Sequence, residues 1–161
     1  QLDRFLLDLQ IKYPTELEEL NILTSTTGSR QAQVHPAISG EEVLQLRQLV
    51  REVSISDDLL TYVNQLVRAT RPDTTSSDHI KSYVRWGAGP RAGQALILTS
   101  KARALLQGRF AVTAADVQTM AFPVLRHRIL VNFTAEAERI TPDRVVEELL
   151  QHIKLPQTVL V

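Results

Sequence analysis

The sequence lacks cysteine altogether, and aromatic residues make up only 5% of its 161 positions. The absence of cysteine excludes disulfides, thiolate metal sites and cysteine nucleophiles. So few aromatic rings argue against a base-stacking platform for nucleic acids. No apolar run reaches the roughly 18–20 residues that a membrane-spanning helix needs. Neither sign of charge is in excess, since 18 Lys and Arg balance 18 Asp and Glu, so no net charge attracts nucleic acid or an anionic membrane.

The residues that are present indicate a folded chain. The hydrophobic content is 43%, and the length suits one ordinary domain, or a small domain with part of another. Met120 is the only methionine, and the N-terminal residues show no signal-peptide pattern. We therefore expect Gln1 not to be a translation start and the chain to be a piece of a longer protein.

The N-terminal segment predicts a strand followed by a helix. Apolar residues alternate over residues 5–13 with the period of a strand, which Pro14 closes. Thr15 followed by Glu18 forms a capping-box pattern and predicts a short helix. Residues 28–40 show no periodicity and predict a linker or hinge loop.

After Gly40 the pattern becomes helical. Apolar residues recur at helical spacing in two sets: Val43, Leu46, Leu49, Val50 and Val53, then Leu59, Leu60, Val63, Leu66 and Val67. Gly108 predicts the end of a helix that begins at Pro90. Capping residues predict four further helix starts: Ser56 or Asp57, Ser77 or Asp78 before HIKSYVRW, Thr113 with Asp116, and Thr141 before Pro142. The stretch ILVNF predicts a short strand. We expect five or six helices between Gly40 and Lys154, bundled around their apolar faces.

The stretch GAGPRA, residues 87–92, fits the dinucleotide-binding fingerprint G-x-G-x-x-G/A in its letters alone. That fingerprint requires a preceding strand and an acidic residue about 20 positions further on, at the end of a second strand. Here the preceding segment begins with a helix cap, and the next acid, Asp116, lies in a capping pattern. The sequence therefore predicts no Rossmann site.

The same stretch carries a simpler signal. A glycine turn followed by Pro90 exposes backbone N–H groups at the positive end of a helix. Arg91, in the first turn, opposes that dipole unless an anion is present. Local chemistry leaves two interpretations open: a phosphate site, or a surface arginine paired with a nearby acid.

The remaining candidate groups point to no catalytic cluster. The four histidines are dispersed along the chain at His35, His79, His127 and His152, without the spacing of a metal or nucleophile–base site. The run Arg126-His127-Arg128 is interpreted first as a cluster that satisfies the last carbonyls of a helix. A second interpretation, with Arg109, is a nucleic-acid contact, against which the even charge balance argues.

The order of the motifs resembles the C-terminal half of a MoxR-type AAA+ ATPase. The resemblance rests on LDRFLLDLQIKYP, then E-x-E-E, then TRPDTTSSDHIKSYVRWGAGPRA, then KARALLQGRFAVTAADVQTMAFPVLRHRI. It covers nearly the whole chain, from about Gln1 to Pro156. It implies a mainly α fold in which a helical lid follows a strand–helix remnant of an α/β P-loop core. The implied boundaries are 1–29 for the core edge, 30–40 for a hinge, 41–156 for the lid and 157–161 for a tail.

The resemblance also implies roles for particular residues. Arg4, in LDRF, matches the arginine finger that reaches the nucleotide of a neighbouring subunit. Arg91 matches the sensor-2 arginine, which contacts the γ-phosphate bound to its own subunit. Gly87, Gly89 and Pro90 complete the nucleotide-binding motif. The family more often reads GASPRA, so Gly89 replaces a serine hydroxyl. No metal ligand is implied in this chain.

The implied activity is ATP hydrolysis, with Mg²⁺, coupled in a chaperone-like way to the remodelling or activation of partner proteins. The P-loop pattern G-x-x-x-x-G-K-[ST] and an acidic Walker-B strand are absent from these residues, so we expect this chain alone to bind ATP poorly and to hydrolyse none. The family implies a cytoplasmic homo-oligomeric ring, a hexamer, that works with von Willebrand A-domain proteins and has neither nucleic-acid partners nor a membrane span. A non-catalytic helical adaptor is the alternative function.

Overall fold

Eight helices dominate the part of the chain that the computed structural model describes, residues 2–29 and 33–156. After a 3₁₀ turn at Leu2–Arg4, the elements are α1 Glu16–Thr26, α2 Gly40–Glu52, α3 Asp57–Ala69, α4 Asp78–Tyr83, β1 Val84–Trp86, α5 Pro90–Leu106, α6 Ala114–Leu125, β2 Leu130–Val131, α7 Phe133–Ala137 and α8 Pro142–His152. The mainly α fold is confirmed. Gln1, the start of the predicted hinge at 30–32 and the predicted tail at 157–161 lie outside the described residues.

Short-range capping explains where the helices begin. The Thr15 N–H donates to the Glu18 carboxylate at 2.7 Å, and the Thr113 N–H donates to Asp116 at 2.9 Å. The Thr141 hydroxyl accepts from the N–H of Arg144 at 3.2 Å. Each contact satisfies a backbone donor that the first helical turn leaves without an intrahelical partner. The starts predicted for α1, α6 and α8 are confirmed.

Helix α5 lies at the centre of the bundle, packed against α2, α3 and α6, while α8 covers α6 and α3. Ala92, Leu96 and Ala104 of α5 are fully buried. The alanines let neighbouring helices approach closely, and the burial of apolar side chains supplies the main stabilising free energy of the bundle. Between Gly40 and Lys154 there are seven helices rather than five or six, because α4 and α7 are short separate turns.

The strand predicted over residues 5–13 does not form. Residues 7–15 have no regular secondary structure, and Leu9, Ile11 and Tyr13 are 72%, 94% and 94% exposed. A strand needs a neighbour to pair its backbone groups. In the described part of the chain this segment has no such neighbour. The N–H of Asp8 donates instead to the carbonyl of Pro123 at 2.8 Å.

The segment before the glycine turn also differs from its prediction. The helix predicted through HIKSYVRW ends at Tyr83, and β1 pairs antiparallel with β2, so that Val84 faces Val131. The strand predicted at ILVNF is thereby confirmed as β2. A strand does precede the GAGPRA motif, contrary to the sequence argument against a Rossmann site. That site is still excluded, because it requires a parallel βαβ unit and this pair is a two-stranded antiparallel ribbon.

The apolar face predicted for α2 is only partly covered. Val53, just after the helix, is 3% exposed, whereas Val43, Leu46 and Leu49 keep 43%, 47% and 38% of their exposure. The face predicted for α3 is buried apart from Leu60, which is 36% exposed. Periodicity identified which residues share a face, but it did not identify which face has a partner.

Candidate functional site

The turn from Gly87 to Arg91 links β1 to α5 and is fixed by a close approach of two backbone segments. A Cβ placed on Gly87 would lie 2.5 Å from the carbonyl oxygen of Thr70 and 2.7 Å from the Cα of Arg71. Only glycine fits this contact. Around Gly89, by contrast, nothing lies within 4 Å of an added Cβ.

Thr70 and Arg71 also hold the turn through hydrogen bonds. The N–H of Ala88 donates to the Thr70 hydroxyl at 2.8 Å, and that hydroxyl donates to the carbonyl of Val67 at 2.6 Å. Nε of Arg71 donates to the carbonyl of Ala88 at 2.9 Å. Both polar groups of the Ala88 backbone are therefore bonded, and the turn is anchored to the end of α3. Neither anchor was predicted, although Thr70 and Arg71 directly precede Pro72.

Arg91 lies in the first turn of α5 with its side chain 67% exposed. Gly89 is the N-cap and supplies no side-chain cap, and Pro90 is the first helical residue. Nη1 of Arg91 lies 3.7 Å from an oxygen of Asp3, whose side chain is 45% exposed. The geometry therefore contains both features that the sequence left open: an acid partner, and a helix start suited to an anion.

Arg4 projects from the 3₁₀ turn and is exposed. Its guanidinium carbon lies 5.6 Å from the centre of the Phe5 ring, a separation typical of a cation–π contact. Asp3, the preceding residue, is the link to Arg91. The structure thus brings the LDRF motif beside the GAGPRA motif, although more than 80 residues separate them in the sequence.

The third motif, PVLRHR, holds LDRF in place. The side chain of Arg128 is 2% exposed, and its Nε lies 3.3 Å from Asp3 Oδ1 as an ion pair. Its Nη atoms donate to the carbonyls of Asp3 at 3.0 Å and of Leu6 at 3.3 Å, and also to the carbonyls of Phe5 and Val124. Burial lowers the pKa of Arg128, and the ion pair and hydrogen bonding with Asp3 oppose that shift.

Two neighbouring side chains make further contacts of this kind. His127 Nε2 lies 3.1 Å from the carbonyl oxygen of Phe5. Arg126 pairs through Nε with Asp143 of α8 at 2.9 Å and reaches the carbonyl of Asp8 at 3.4 Å. The bond from Arg128 to Val124 confirms that this run satisfies a carbonyl at the end of α6. Its principal role, binding the N-terminal segment, was not predicted.

A second buried ion cluster joins α5 to α6. Asp116 is fully buried and accepts from Arg103 at 3.0 Å and from both Nη atoms of Arg109 at 2.7 Å. Burial raises the pKa of Asp116, but the hydrogen bonds from Arg109 and Thr113 outweigh burial and lower it to about 2. Arg109, Arg126 and Arg128 are therefore all engaged within the chain, which removes the support for their forming a nucleic-acid surface.

The structure describes neither a metal centre nor a membrane span. Within residues 2–29 and 33–156, no three His, Cys, Asp or Glu side chains are grouped so that they could hold a metal ion. Within the same ranges, every helix is too short or too polar to cross a bilayer. Two of the four histidines contact other side chains instead: His152 Nε2 lies 2.9 Å from the Ser76 hydroxyl oxygen, and the centres of the His79 and Tyr83 rings are 4.6 Å apart.

Comparison with known proteins identifies the family. A model of the AAA lid domain matches residues 77–149. The chain is 34% identical over 158 residues to Chaperone MoxR1 of Mycobacterium tuberculosis, a match that covers 98% of this chain and 42% of that protein. It is 28% identical over 149 residues to Protein MoxR of Paracoccus denitrificans, covering 85% and 44%.

A solved structure agrees with these matches. The crystal structure of a "putative ATPase" from Cytophaga hutchinsonii superposes with a TM-score of 0.90 at 31% identity, over 97% of this chain and 48% of that one. The chain thus spans less than half the length of each of these relatives. The resemblance seen in the motifs is confirmed: the chain belongs to the MoxR-type AAA+ ATPases and corresponds to their C-terminal part, including the AAA lid domain.

Proposed function

We propose that this chain supplies two phosphate-directed arginines to a MoxR-type ATPase, which couples ATP hydrolysis to the remodelling or activation of partner proteins. Arg91 acts as sensor 2 toward the nucleotide of its own subunit, with Gly87, Gly89 and Pro90 shaping the turn. Arg4 acts as the finger toward a neighbouring subunit. Residues 1–29 form the edge of the ATPase core, 30–40 a hinge, 41–156 the lid and 157–161 a tail.

The position of Arg91 carries this proposal. An exposed ion pair such as Arg91–Asp3 contributes less than about 1 kcal/mol, whereas a charge-assisted hydrogen bond to phosphate contributes about 1.5–3 kcal/mol. A phosphate at the start of α5 would therefore displace Asp3. The helix dipole would add to the attraction, and the anchored turn would keep the arginine in register.

The chemistry of phosphoryl transfer explains why arginines would serve at both positions. The reaction is catalysed mainly by positioning and by stabilising the charge that develops on the phosphoryl oxygens. A guanidinium remains charged and binds two oxygens at once. Most contacts to ATP and Mg²⁺ would come from a P-loop and a Walker-B acid, which these residues do not contain, so the chain alone is expected to be inactive.

The rest of the proposal concerns the assembly. A finger acting on a neighbour requires an oligomer, which we propose is a cytoplasmic hexameric ring. Von Willebrand A-domain proteins are the proposed partner class. The exposure of Arg4 favours an oligomer: in the described part of the chain its guanidinium lies beside the Phe5 ring and has no hydrogen-bond or ion-pair partner.

The test is ATP hydrolysis by the full-length protein carrying Arg91→Ala or Arg4→Ala. Loss of the finger is expected to lower the rate by about 10³–10⁵-fold, and loss of the sensor by about tenfold or more, from the contact energy above. Only Arg4→Ala is expected to regain activity on mixing with subunits whose P-loop is inactive. Those subunits still donate Arg4 to the intact nucleotide site of an Arg4→Ala neighbour, whereas Arg91 acts on the nucleotide of its own subunit and cannot be supplied by another. Arg144→Ala, which removes an exposed arginine paired with Glu147 and Glu148 on α8, is the control and should leave the rate unchanged.

Three results would contradict the proposal. An unchanged rate in Arg91→Ala would remove the sensor assignment, and an unchanged rate in Arg4→Ala would remove the finger. Absence of ATP hydrolysis in the unmodified full-length protein would instead favour the helical adaptor.

A further inference from the structure

Arg128 binds the backbone on both sides of Arg4. Its guanidinium donates to the carbonyls of Asp3 and Phe5, the residues immediately before and after Arg4, and to that of Leu6. His127 contacts the same Phe5 carbonyl at 3.1 Å. The main chain that carries Arg4 is therefore held by two consecutive residues that follow α6.

Within residues 2–29 and 33–156, the guanidinium of Arg4 has no hydrogen-bond or ion-pair partner. It is exposed, and its contact with the Phe5 ring spans 5.6 Å. Fixing the backbone while leaving the guanidinium unbound is the arrangement expected of a group that must reach a ligand outside its own fold in a defined direction.

Arg128 cannot bind an external ligand directly. Its side chain is 2% exposed and forms an ion pair with Asp3. Its Nη atoms donate to three carbonyls of the N-terminal segment and to the carbonyl of Val124. Only a planar guanidinium presents enough donors, in a fixed fork, to reach that many acceptors at once. An ammonium group would keep the charge opposite Asp3 but would lose most of the carbonyl contacts.

We propose that Arg128 is the positioning residue of the arginine finger: it fixes residues 3–6 so that Arg4 is presented to the neighbouring subunit. The inference rests on the proposed function of Arg4 and adds a residue of the lid to the trans-acting machinery. A misplacement of about 1 Å in such a group lowers a rate by about 100-fold. Loss of Arg128 should therefore impair the subunit as a finger donor without impairing it as a hydrolysing subunit.

Mixed assemblies of the full-length protein separate these two capacities. In the reference mixture, subunits with an inactive P-loop donate the finger to Arg4→Ala subunits, which hydrolyse ATP. Arg128→Gln is then placed either in the donor or in the hydrolysing subunit. We expect the recovered rate to fall about 10- to 100-fold when Arg128→Gln is in the donor and to stay within about twofold of the reference when it is in the hydrolysing subunit.

Arg128→Lys repeats the comparison with the charge retained, in case the glutamine variant does not assemble, and the same asymmetry is expected. Arg144→Gln in either subunit is the matched control and should change neither mixture. An equal loss in both placements would show that Arg128 only maintains the fold and would overturn the inference, as would full recovery with the variant in the donor. No recovery in the reference mixture would instead overturn the finger assignment of Arg4, and the positioning role with it.

Discussion

Two glycines of one turn have different physical requirements. Gly87 lies against the backbone of Thr70 and Arg71, with no space for a Cβ, whereas Gly89 faces open space in an extended conformation at φ −84°. Gly87 is thus required by packing. Gly89 is an N-cap without a side-chain oxygen, at the position where the family more often has serine.

We predict opposite effects of substituting the two glycines. Gly87→Ala should lower the free energy of unfolding by about 1–3 kcal/mol, because the backbone of Thr70 must move. Gly89→Ser should leave it unchanged or raise it by a few tenths of a kcal/mol, because serine provides a cap for α5. Urea denaturation of both variants measures the difference. Equal stability of the two would show that the approach of Gly87 to Thr70 is looser than described.

At the scale of elements, the junction of α5 and α6 combines a helix stop with an ion cluster. Gly108 follows α5 at φ +71°, and the N–H groups of Gly108 and Arg109 donate to Leu105 and Ala104 at 2.9 Å each. This is the Schellman arrangement that ends helices at glycine. It directs Arg109 onto Asp116, in the first turn of α6, so a local turn sets the position of a buried ion pair.

This cluster should make the fold sensitive to acid. The pKa of Asp116 is lowered from 3.8 to about 2 in the folded protein. Because the pKa of Asp116 is lower in the folded than in the unfolded state, its stabilising effect is fully present above the pKa of the unfolded state. Roughly 2 kcal/mol of the free energy of unfolding should be lost as the pH falls from about 4 toward about 2. Thermal denaturation across this range should show the loss in the unmodified protein, and Asp116→Asn should be destabilised at pH 7 and lack this part of the acid dependence.

Asp78→Asn is the matched control, since the Asp78 side chain is 97% exposed and, in the described part of the chain, its one ion pair is with Lys81 at 3.4 Å. It should follow the unmodified protein at every pH. If the stability of Asp116→Asn fell with pH as steeply as that of the unmodified protein, carboxylates other than Asp116 would have to cause the acid dependence.

At the scale of the whole molecule, stability is unevenly distributed. Helix α1 buries no residue, and Leu17, Leu20 and Leu23 are at least 59% exposed. Helix α2 likewise buries none of its residues, although it contacts α5. Helices α3, α5, α6 and α8 hold most of the core. A helix without buried contacts has little more than its own marginal stability.

Amide hydrogen-exchange rates should therefore differ between the helices. Backbone amides of α1 should exchange at least about tenfold faster than those in the middle of α5, because local opening of α1 exposes no core. Amide exchange followed by NMR or mass spectrometry measures both helices in one sample, so α5 serves as the internal reference. In the full-length protein we expect α1 to become protected, since its apolar face is proposed to lie at the edge of the ATPase core. Equal protection of α1 and α5 in the chain alone would contradict this description.

The sequence by itself determined the features that depend on neighbouring residues. The starts of α1, α6 and α8 follow from threonines whose partners lie three residues away, and the end of α5 follows from Gly108. The order of the motifs also identified the family. These predictions succeeded because capping and turn formation involve groups within a few bonds of one another, so the local sequence contains the whole interaction.

Only the tertiary structure decided what depends on distant partners. The alternation over residues 5–13 is real, but without a strand beside it the segment has nothing to pair with. Asp3 and Arg128 are about 125 residues apart along the chain, and no local pattern relates them. The apolar face of α2 is visible in its periodicity, yet its exposure depends on which surfaces pack against it. Each of these outcomes is set by a group that folding brings from elsewhere in the chain, so the residues around each position could not have revealed it.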